Sequence, residues 1–148
     1  MAEREPTQTT NLDARIELHP VGWVRSTLVD RKDAPRQSDE GAPPAALVFR
    51  PEMRPALHGL NPGDEIVVLT WLHRADRQTL SVHPRGDPNR PITGVFATRS
   101  AERPNPIGLH AARIAEVLDT TIIVSHLEAL DGTPILDVKP ILGPVSER

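Results

Sequence analysis

The sequence predicts a mainly all-β protein: a compact antiparallel β-barrel with short helical turns and long loops. The 148-residue chain has 16 prolines and 9 glycines, which break long helices and mark frequent turns. About seven or eight short apolar or alternating segments lie between these turn signals, as expected for strands of a barrel or sandwich. The sequence contains neither crossover helices nor a GxGxxG motif, which argues against a parallel nucleotide-binding sheet.

The first third of the chain predicts two strands. Residues 1–14 are polar and are expected to form a disordered tail, followed by a single domain over residues 15–148. Ile16–Ser26 alternates in strand fashion, with a bend expected at its proline and first glycine. Residues 31–44 lack apolar periodicity and predict a long loop with a functional role, followed by a short strand at Ala46–Phe49.

The middle of the chain predicts a helical turn and three strands. Pro51–Gly59 carries proline at a first helical position and glycine at its end, which favours one or two helical turns. Glu65–Leu72 is rich in β-branched residues and apolar on both faces, as in a central strand. Shorter strands are predicted at Thr79–His83 and Gly94–Ala97, separated by a loop dense in proline and glycine.

The last third contains one ambiguous segment and one predicted hairpin. Leu109–Leu118 fits a strand or a helix, because its alanines suit either period. Residues 120–130 and 134–138 are interpreted as the two strands of a hairpin. The dipeptide Asp131-Gly132 between them is typical of a turn that needs positive φ.

Charge and composition narrow the possible partners. The net charge of −3 and pI near 6.1 argue against indiscriminate nucleic-acid binding. No cysteine is present, which fits a reducing compartment, and we expect a cytoplasmic protein. Ile66–Leu69, the most apolar run, is far too short to span a bilayer, so no membrane partner is expected. Six arginines between Arg74 and Arg103 nevertheless indicate a local anion-binding face.

The stretch GVFATRSAERPNPIGL, Gly94 to Leu109, has a backbone that is restricted before any ligand binds. Arg103 and Asn105 each precede a proline, which favours extended conformations, and each proline fixes its own φ near −65°. A guanidinium on such a scaffold can bind a carboxylate or phosphate in a fork. A rigid turn whose arginines face solvent explains the same residues, and both interpretations stay open at this point.

The six histidines raise the possibility of a metal centre. His73 and His83 flank a possible hairpin, but the sequence has no HxH or HxxxH spacing. We therefore expect no metal site, and interpret the histidines as surface residues or as internally hydrogen-bonded ones.

The motifs GVFATRS, RPNPIG and LDGTPILDVKP, in this order, resemble the signature of the TsaA-like, or TrmO-type, family of S-adenosylmethionine-dependent methyltransferases. GWVRS and PRQ are similar to its amino-terminal half, so the resemblance runs from about His19 to Pro140. It implies a compact barrel, S-adenosyl-L-methionine as cofactor, and a homodimer with the cofactor near the protomer interface. It further implies methylation of N6 of threonylcarbamoyl-adenosine at position 37 of transfer RNA.

The resemblance also implies roles for individual residues. It assigns cofactor binding to the PRQ loop, a strand-end histidine and arginine, the stretch Gly94–Leu109 and the DGTP turn: Pro35, Arg36, Gln37, His73, Arg74, Arg99, Leu109, Asp131, Gly132, Thr133 and Pro134. Arg103, Asn105 and Lys139 are expected to contact the substrate. Asp137 or His73 is the candidate base for the acceptor nitrogen. For Asp137 and Lys139, which share a strand face, an ion pair is an equally good interpretation.

The chain departs from the family pattern in two places. Ile141 follows Pro140 where transfer-RNA-modifying relatives usually carry an aromatic residue, and RSP is replaced by Arg25-Ser26-Thr27. These changes spare the cofactor motifs and affect substrate recognition. Methylation of a small molecule, or cofactor binding without turnover, are therefore alternatives to the transfer-RNA reaction.

Overall fold

The computed structural model describes residues 14–147, and its main feature is a closed barrel of six antiparallel strands. In chain order the strands are β1 (Gly22–Arg25), β2 (Ala45–Phe49), β3 (Glu65–Trp71), β4 (Ser81–Val82), β5 (Thr93–Gly94), β6 (Ile107–Leu118), β7 (Thr121–Val124) and β8 (Pro134–Pro140). The barrel order is β1-β2-β7-β6-β3-β8, and β4 and β5 form a separate two-stranded sheet. The antiparallel, mainly β fold predicted from the sequence is confirmed.

Helical structure is confined to short segments. One helix, α1 (Arg54–Leu57), follows a 3₁₀ turn at Pro51–Met53, and together they confirm the helical turns predicted there. Further 3₁₀ turns lie at Arg31–Asp33, Pro84–Gly86, Val95–Ala97 and Val145–Glu147. Within the described residues, no helix has the length and apolar character needed to cross a membrane.

The barrel interior is filled by aliphatic side chains from every second strand position. β6 shows this alternation most clearly, because Ala112 and Ile114 are buried while Ala111 and Arg113 face outward. The largest fully buried side chains are Leu47, Ile66, Ile114, Ile122, Leu127 and Ile135. Burial of an aliphatic side chain of this kind contributes about 1.5–3 kcal/mol, so these residues supply the main stabilisation of the barrel.

The structure resolves or corrects several local predictions. Leu109–Leu118, for which the sequence left strand and helix open, belongs to a strand, β6. The strand predicted at Gly94–Ala97 is wrong beyond its first residue, because Val95–Ala97 forms a 3₁₀ turn. The bent strand expected over Ile16–Ser26 is shorter and comprises only β1. The predicted tail, apart from Ala14, lies outside the described residues.

The predicted hairpin around Asp131-Gly132 is also wrong. β7 pairs with β2 and β6, whereas β8 pairs with β1 and β3. Gly132 does have the positive φ expected of a turn, at 81°. Its N–H donates to Val24 O at 2.8 Å and the Asp131 N–H donates to Leu28 O at 2.7 Å, so the turn docks on the end of β1. Closure of the barrel therefore separates two strands that local patterns place together.

The β6–β7 hairpin is tied to α1 by one ion pair, which leads to a testable prediction. Arg54 donates from Nε and one terminal nitrogen to the two carboxylate oxygens of Asp119, both at 2.8 Å. This hydrogen bonding lowers the pKa of Asp119. The attraction is therefore present at neutral pH and is lost as the pH falls through the lowered pKa. We expect Arg54→Ala to raise the Asp119 pKa toward its ordinary value in an NMR titration, and Arg113→Ala to leave it unchanged.

Candidate functional site

A cleft of about 1210 Å³ opens at one end of the barrel. Its walls come from the loop between β1 and β2, the residues after β3, the β4–β5 excursion, the first residues of β6 and the loop before β8. Antiparallel pairing places the end of β3 beside the start of β6, with Trp71 opposite Ile107. All of these segments therefore meet at the same end of the barrel, and the cleft is larger than needed for a ligand of cofactor size.

The RPNP segment, Arg103–Pro106, is clamped onto the chain that follows β3. The Arg77 guanidinium donates to Pro104 O at 2.7 Å and to the Asn105 side-chain oxygen at 3.0 Å. The same guanidinium lies 5.2 Å from the centre of the Trp71 ring, within cation–π range. Hydrogen bonds therefore reinforce the restriction that the two prolines impose, and Asn105 takes part in this clamp rather than lining the cleft.

The Arg103 side chain holds the turn that carries Arg99. It donates to the carbonyl oxygens of Val95 (3.0 Å), Thr98 (3.2 Å) and Ser100 (2.9 Å). Three carbonyl groups of one turn thus converge on a single guanidinium, which fixes the backbone on both sides of Arg99. Arg103 also lines the cleft, and its contact with substrate stays a prediction.

We expect Arg103→Ala to destabilise the protein by about 2 kcal/mol, because a hydrogen bond to a charged group contributes about 1.5–3 kcal/mol. The midpoint of unfolding in guanidinium chloride measures this loss. Arg90→Ala is the control, since the Arg90 side chain lies outside the cleft and, among the described residues, pairs only with Asp87, at 3.8 Å. An Arg103→Ala protein as stable as the parent would show that the three carbonyl contacts contribute nothing to the fold.

Six arginines line the cleft, and four of them have partners inside the protein. Arg31 contacts Glu102 and Arg74 O, Arg74 donates to Val29 O at 3.1 Å, and Arg85 binds Glu40 at 2.7 Å. Arg103 is bound to carbonyl groups as described above. In residues 14–147, the guanidinium groups of the remaining two, Arg36 and Arg99, have neither a hydrogen bond nor an ion pair with the protein. These two arginines are available to an anionic group of a ligand.

A buried polar chain forms part of the inner wall. Thr70 Oγ1 lies 2.6 Å from His110 Nε2, and His110 Nδ1 lies 2.6 Å from Glu128 Oε1. The side chains of His110 and Glu128 are only 6% and 9% exposed, and Thr70 is fully buried. These three residues are not among the site residues predicted from the sequence. A histidine at an inward position of β6, between Gly108 and Ala112, is the signal that could have indicated them.

The structure brings most of the predicted cofactor residues together. Those that line the cleft are Pro35, Arg36, Gln37, His73, Arg74, Arg99, Leu109 and Thr133. Asp131, Gly132 and Pro134 are neighbours in the chain of the lining residues Leu130 and Thr133, but they do not line the cleft themselves. The Asp131 carboxylate accepts a hydrogen bond from the Ser26 N–H at 3.0 Å and borders a separate shallow depression of about 400 Å³.

Two further predicted residues lie on the outer face of the barrel. Asp137 and Lys139 project from β8 and form an ion pair, with 3.3 Å between Lys139 Nζ and Asp137 Oδ2. Both side chains are at least half exposed and neither borders the cleft. Over the described part of the chain, no group of three or more histidine, aspartate or glutamate side chains has the arrangement of a metal site.

The fold and the cleft together define a class: a closed antiparallel barrel with a ligand-sized cleft at one end, walled by loops and lined by arginines. Residues 23–145 match the family model of the tRNA-methyltransferase O N-terminal domain. The chain belongs to the tRNA-methyltransferase O N-terminal domain family, which confirms the resemblance found in the sequence motifs.

Known relatives and structures agree with this assignment. A probable S-adenosyl-L-methionine-binding protein of Methanothermobacter thermautotrophicus is 42% identical over 128 residues, covering 86% of this chain and 91% of the relative. An S-adenosyl-L-methionine-binding protein of Archaeoglobus fulgidus is 39% identical over 122 residues, covering 82% and 86%. The crystal structure of TrmO from Pseudomonas aeruginosa superposes with a TM-score of 0.69 at 28% identity, covering 87% of this chain. This chain spans 57% of the length of that TrmO structure.

Proposed function

We propose that the protein is an S-adenosylmethionine-dependent N-methyltransferase that acts on N6 of threonylcarbamoyl-adenosine 37 in transfer RNA. The observation that carries this proposal is the cleft with two arginines, Arg36 and Arg99, that have no partner among the described residues. Membership of the tRNA-methyltransferase O N-terminal domain family and the names of the relatives support both the cofactor and the substrate class.

The residues of the cleft fit the cofactor chemically. S-adenosylmethionine combines a carboxylate, an adenine ring and several N–H and O–H groups. Arg36 and Arg99 can take the carboxylate in a fork, and the apolar side chains of Leu72, Leu109 and Leu130 offer a surface for the ring. Glu128 Oε2, a buried acceptor without a protein partner, provides a site for one of the donors.

The bound cofactor supplies an electrophilic methyl group on a sulfonium. The protein's contribution is positioning, since holding reactants in line can lower a barrier by several kcal/mol. We assign carboxylate binding to Arg36 and Arg99, and binding of the nucleoside part to the segment Asp131–Pro134, of which Thr133 reaches the cleft. His73, which lines the cleft, is the proposed acceptor of the proton from the substrate nitrogen. Asp137 is less suited to that role because it projects from the outer face of β8.

Substrate recognition is assigned to the rim of the cleft. Arg103 and Asn105 lie in the clamped RPNP segment, and we propose that their accessible edges and the more distant Lys139 approach the RNA. The protein as a whole carries a net charge of −3, so attraction to the phosphate backbone depends on this local set of cations. Binding of transfer RNA is therefore expected to weaken steeply as the salt concentration rises.

We further propose a homodimer with the cofactor near the protomer interface. Three exposed apolar side chains flank the strands of the β4–β5 sheet next to the cleft: Leu80, Ile92 and Phe96, at 68%, 67% and 83% exposure. A second copy covering this surface would remove it from water and bring another chain to the cleft edge. Sedimentation equilibrium measures the dimer directly, and a monomer across the micromolar range would contradict this part of the proposal.

Methyl transfer from tritiated S-adenosylmethionine tests the proposed reaction. The purified protein is incubated with transfer RNA carrying threonylcarbamoyl-adenosine and, as a matched control, with an unmodified transcript of the same sequence. Nucleosides are then separated by chromatography and identified by mass. We expect label on the modified nucleoside of the first RNA only. A parallel incubation with a cell extract tests small-molecule acceptors, and label on a small molecule there would favour a small-molecule methyltransferase. Cofactor binding without any labelled product would favour a binding module.

A further inference from the structure

Glu128 has a buried oxygen atom that the protein itself leaves without a hydrogen bond. Its side chain is 9% exposed and borders the cleft. Oε1 is held by His110 at 2.6 Å, whereas Oε2 is the buried side-chain oxygen or nitrogen that lacks a partner among the described residues. A buried acceptor in this condition is costly, since an unmade hydrogen bond to a charged group costs more than the roughly 1–3 kcal/mol typical of neutral groups.

The orientation of this carboxylate is set from behind by His110 and Thr70. A carboxylate can only accept, so His110 Nδ1 carries the hydrogen of the 2.6 Å contact with Glu128. In the neutral imidazole, Nε2 then accepts from the Thr70 hydroxyl, which has no other hydrogen-bond partner within residues 14–147. His110 is therefore a positioning residue: it holds one oxygen of Glu128, a residue of the cleft wall, and leaves the second oxygen without a partner among the described residues.

Gly108 makes the close approach of these groups possible. A β-carbon at this position would overlap with the Thr70 hydroxyl and lie 2.5 Å from His110 Nε2. Only glycine leaves room for the hydrogen bond between those two side chains. The arrangement of Thr70, His110 and Glu128 thus depends on the local sequence of β6 as well as on the three side chains.

We propose that Glu128 Oε2 accepts a hydrogen bond from an N–H or O–H group of bound S-adenosylmethionine, an inference that rests on the function proposed above. The ligand is a small molecule rather than the RNA backbone for two reasons. Glu128 lies on the inner wall, where little of it is exposed, and its negative charge repels phosphate. Arg36 and Arg99 offer positive charge in the same cleft, which suits a ligand with a carboxylate at one end and donors elsewhere.

Glu128→Gln reverses the polarity at the proposed contact. If His110 keeps the tautomer of the parent, the Gln carbonyl accepts from the His110 Nδ1–H and the amide NH₂ is then directed at the donor of the ligand. We expect the Kd for S-adenosylmethionine, measured by calorimetry, to rise at least tenfold. Glu65→Gln is the matched control: Glu65 is exposed, binds Arg113 at 2.7 Å and does not line the cleft, so the Kd should not change.

Thermal unfolding without ligand separates a ligand-binding role from a structural one. Removing a buried, half-satisfied charge should leave the melting temperature of free Glu128→Gln equal to or above that of the parent. The increase in melting temperature on adding S-adenosylmethionine should shrink in this variant. Glu128→Ala, combined with His110→Ala in a double-mutant cycle, should show that the two losses of affinity are not additive, since His110 acts through Glu128.

The possible outcomes distinguish this inference from the proposed function. A parent protein that binds S-adenosylmethionine, together with Glu128→Gln and Glu128→Ala variants of the same affinity, overturns the role of Glu128 and leaves the methyltransferase proposal intact. A parent protein that does not bind the cofactor overturns both. Should Glu128→Gln fail to fold, Glu128→Asp keeps the charge with a shorter reach, and its unchanged affinity would likewise contradict the contact.

Discussion

Replacing both Arg36 and Arg99 by alanine is expected to weaken S-adenosylmethionine binding by about 100-fold. A hydrogen bond to a charged group contributes about 1.5–3 kcal/mol, and each 1.4 kcal/mol corresponds to a factor of ten in Kd. Each arginine on its own should therefore account for about a factor of ten. The effect is assigned to these two because the other four cleft arginines already bind groups of the protein.

Calorimetry with each single variant and with the double variant measures this prediction. Arg90→Ala serves as the control for loss of positive charge, because Arg90 is exposed and does not border the cleft. Free methionine added as a competitor tests whether the lost contact is to the carboxylate end. A double variant that binds within twofold of the parent would show that the carboxylate is held elsewhere, and would remove the observation on which the proposed function depends.

Gly22→Ala is expected to destabilise the barrel by about 3 kcal/mol, the upper end of what overpacking usually costs. Gly22 pairs with both Phe49 of β2 and Ile135 of β8, at the point where β1 closes the barrel. A β-carbon there would overlap with the Val48 carbonyl oxygen and lie 2.9 Å from Phe49 Cα. These are backbone atoms of a paired strand, so neither can move aside without disturbing the register.

Gly94→Ala is a matched control for this prediction. Gly94 has an ordinary φ of −60°, and a β-carbon built there has no atom within 4 Å. Its substitution should change the free energy of unfolding by no more than about 0.5 kcal/mol. Urea unfolding of both variants, followed by circular dichroism, gives the comparison. Equal midpoints for the two proteins would mean that strand β1 shifts to accommodate the methyl group at little cost.

The features that could be predicted from the sequence are those encoded by neighbouring residues. The central strand predicted at Glu65–Leu72, which the structure has at Glu65–Trp71, and the helical turn after Pro51 both appear in the structure. Arg36 and Arg99 were named through the family resemblance of the PRQ and GVFATRS motifs, and the structure places both at the cleft. In each case the signal lies within a few residues of the feature that it predicts.

Features that depend on barrel closure could not be predicted in this way. The Asp131-Gly132 turn has the expected φ, yet it docks on β1 because the strands on either side of it pair with distant partners. Thr70, His110 and Glu128 meet only after β3, β6 and the loop before β8 come together, and no spacing in the chain marks that contact. Polar residues at inward-facing strand positions are the sequence feature to look for in such folds.

The cleft and the β6–β7 hairpin lie at opposite ends of one long strand. β6 contributes its first residues, Ile107–His110, to the cleft, and its last residue, Leu118, leads into the hairpin, about 30 Å further along the barrel wall. A fluorescent label or an immobilisation anchor inserted between Asp119 and Thr120 would therefore leave the mouth of the cleft facing solution. Surface-based kinetic measurements with cofactor and RNA could then be made on oriented molecules.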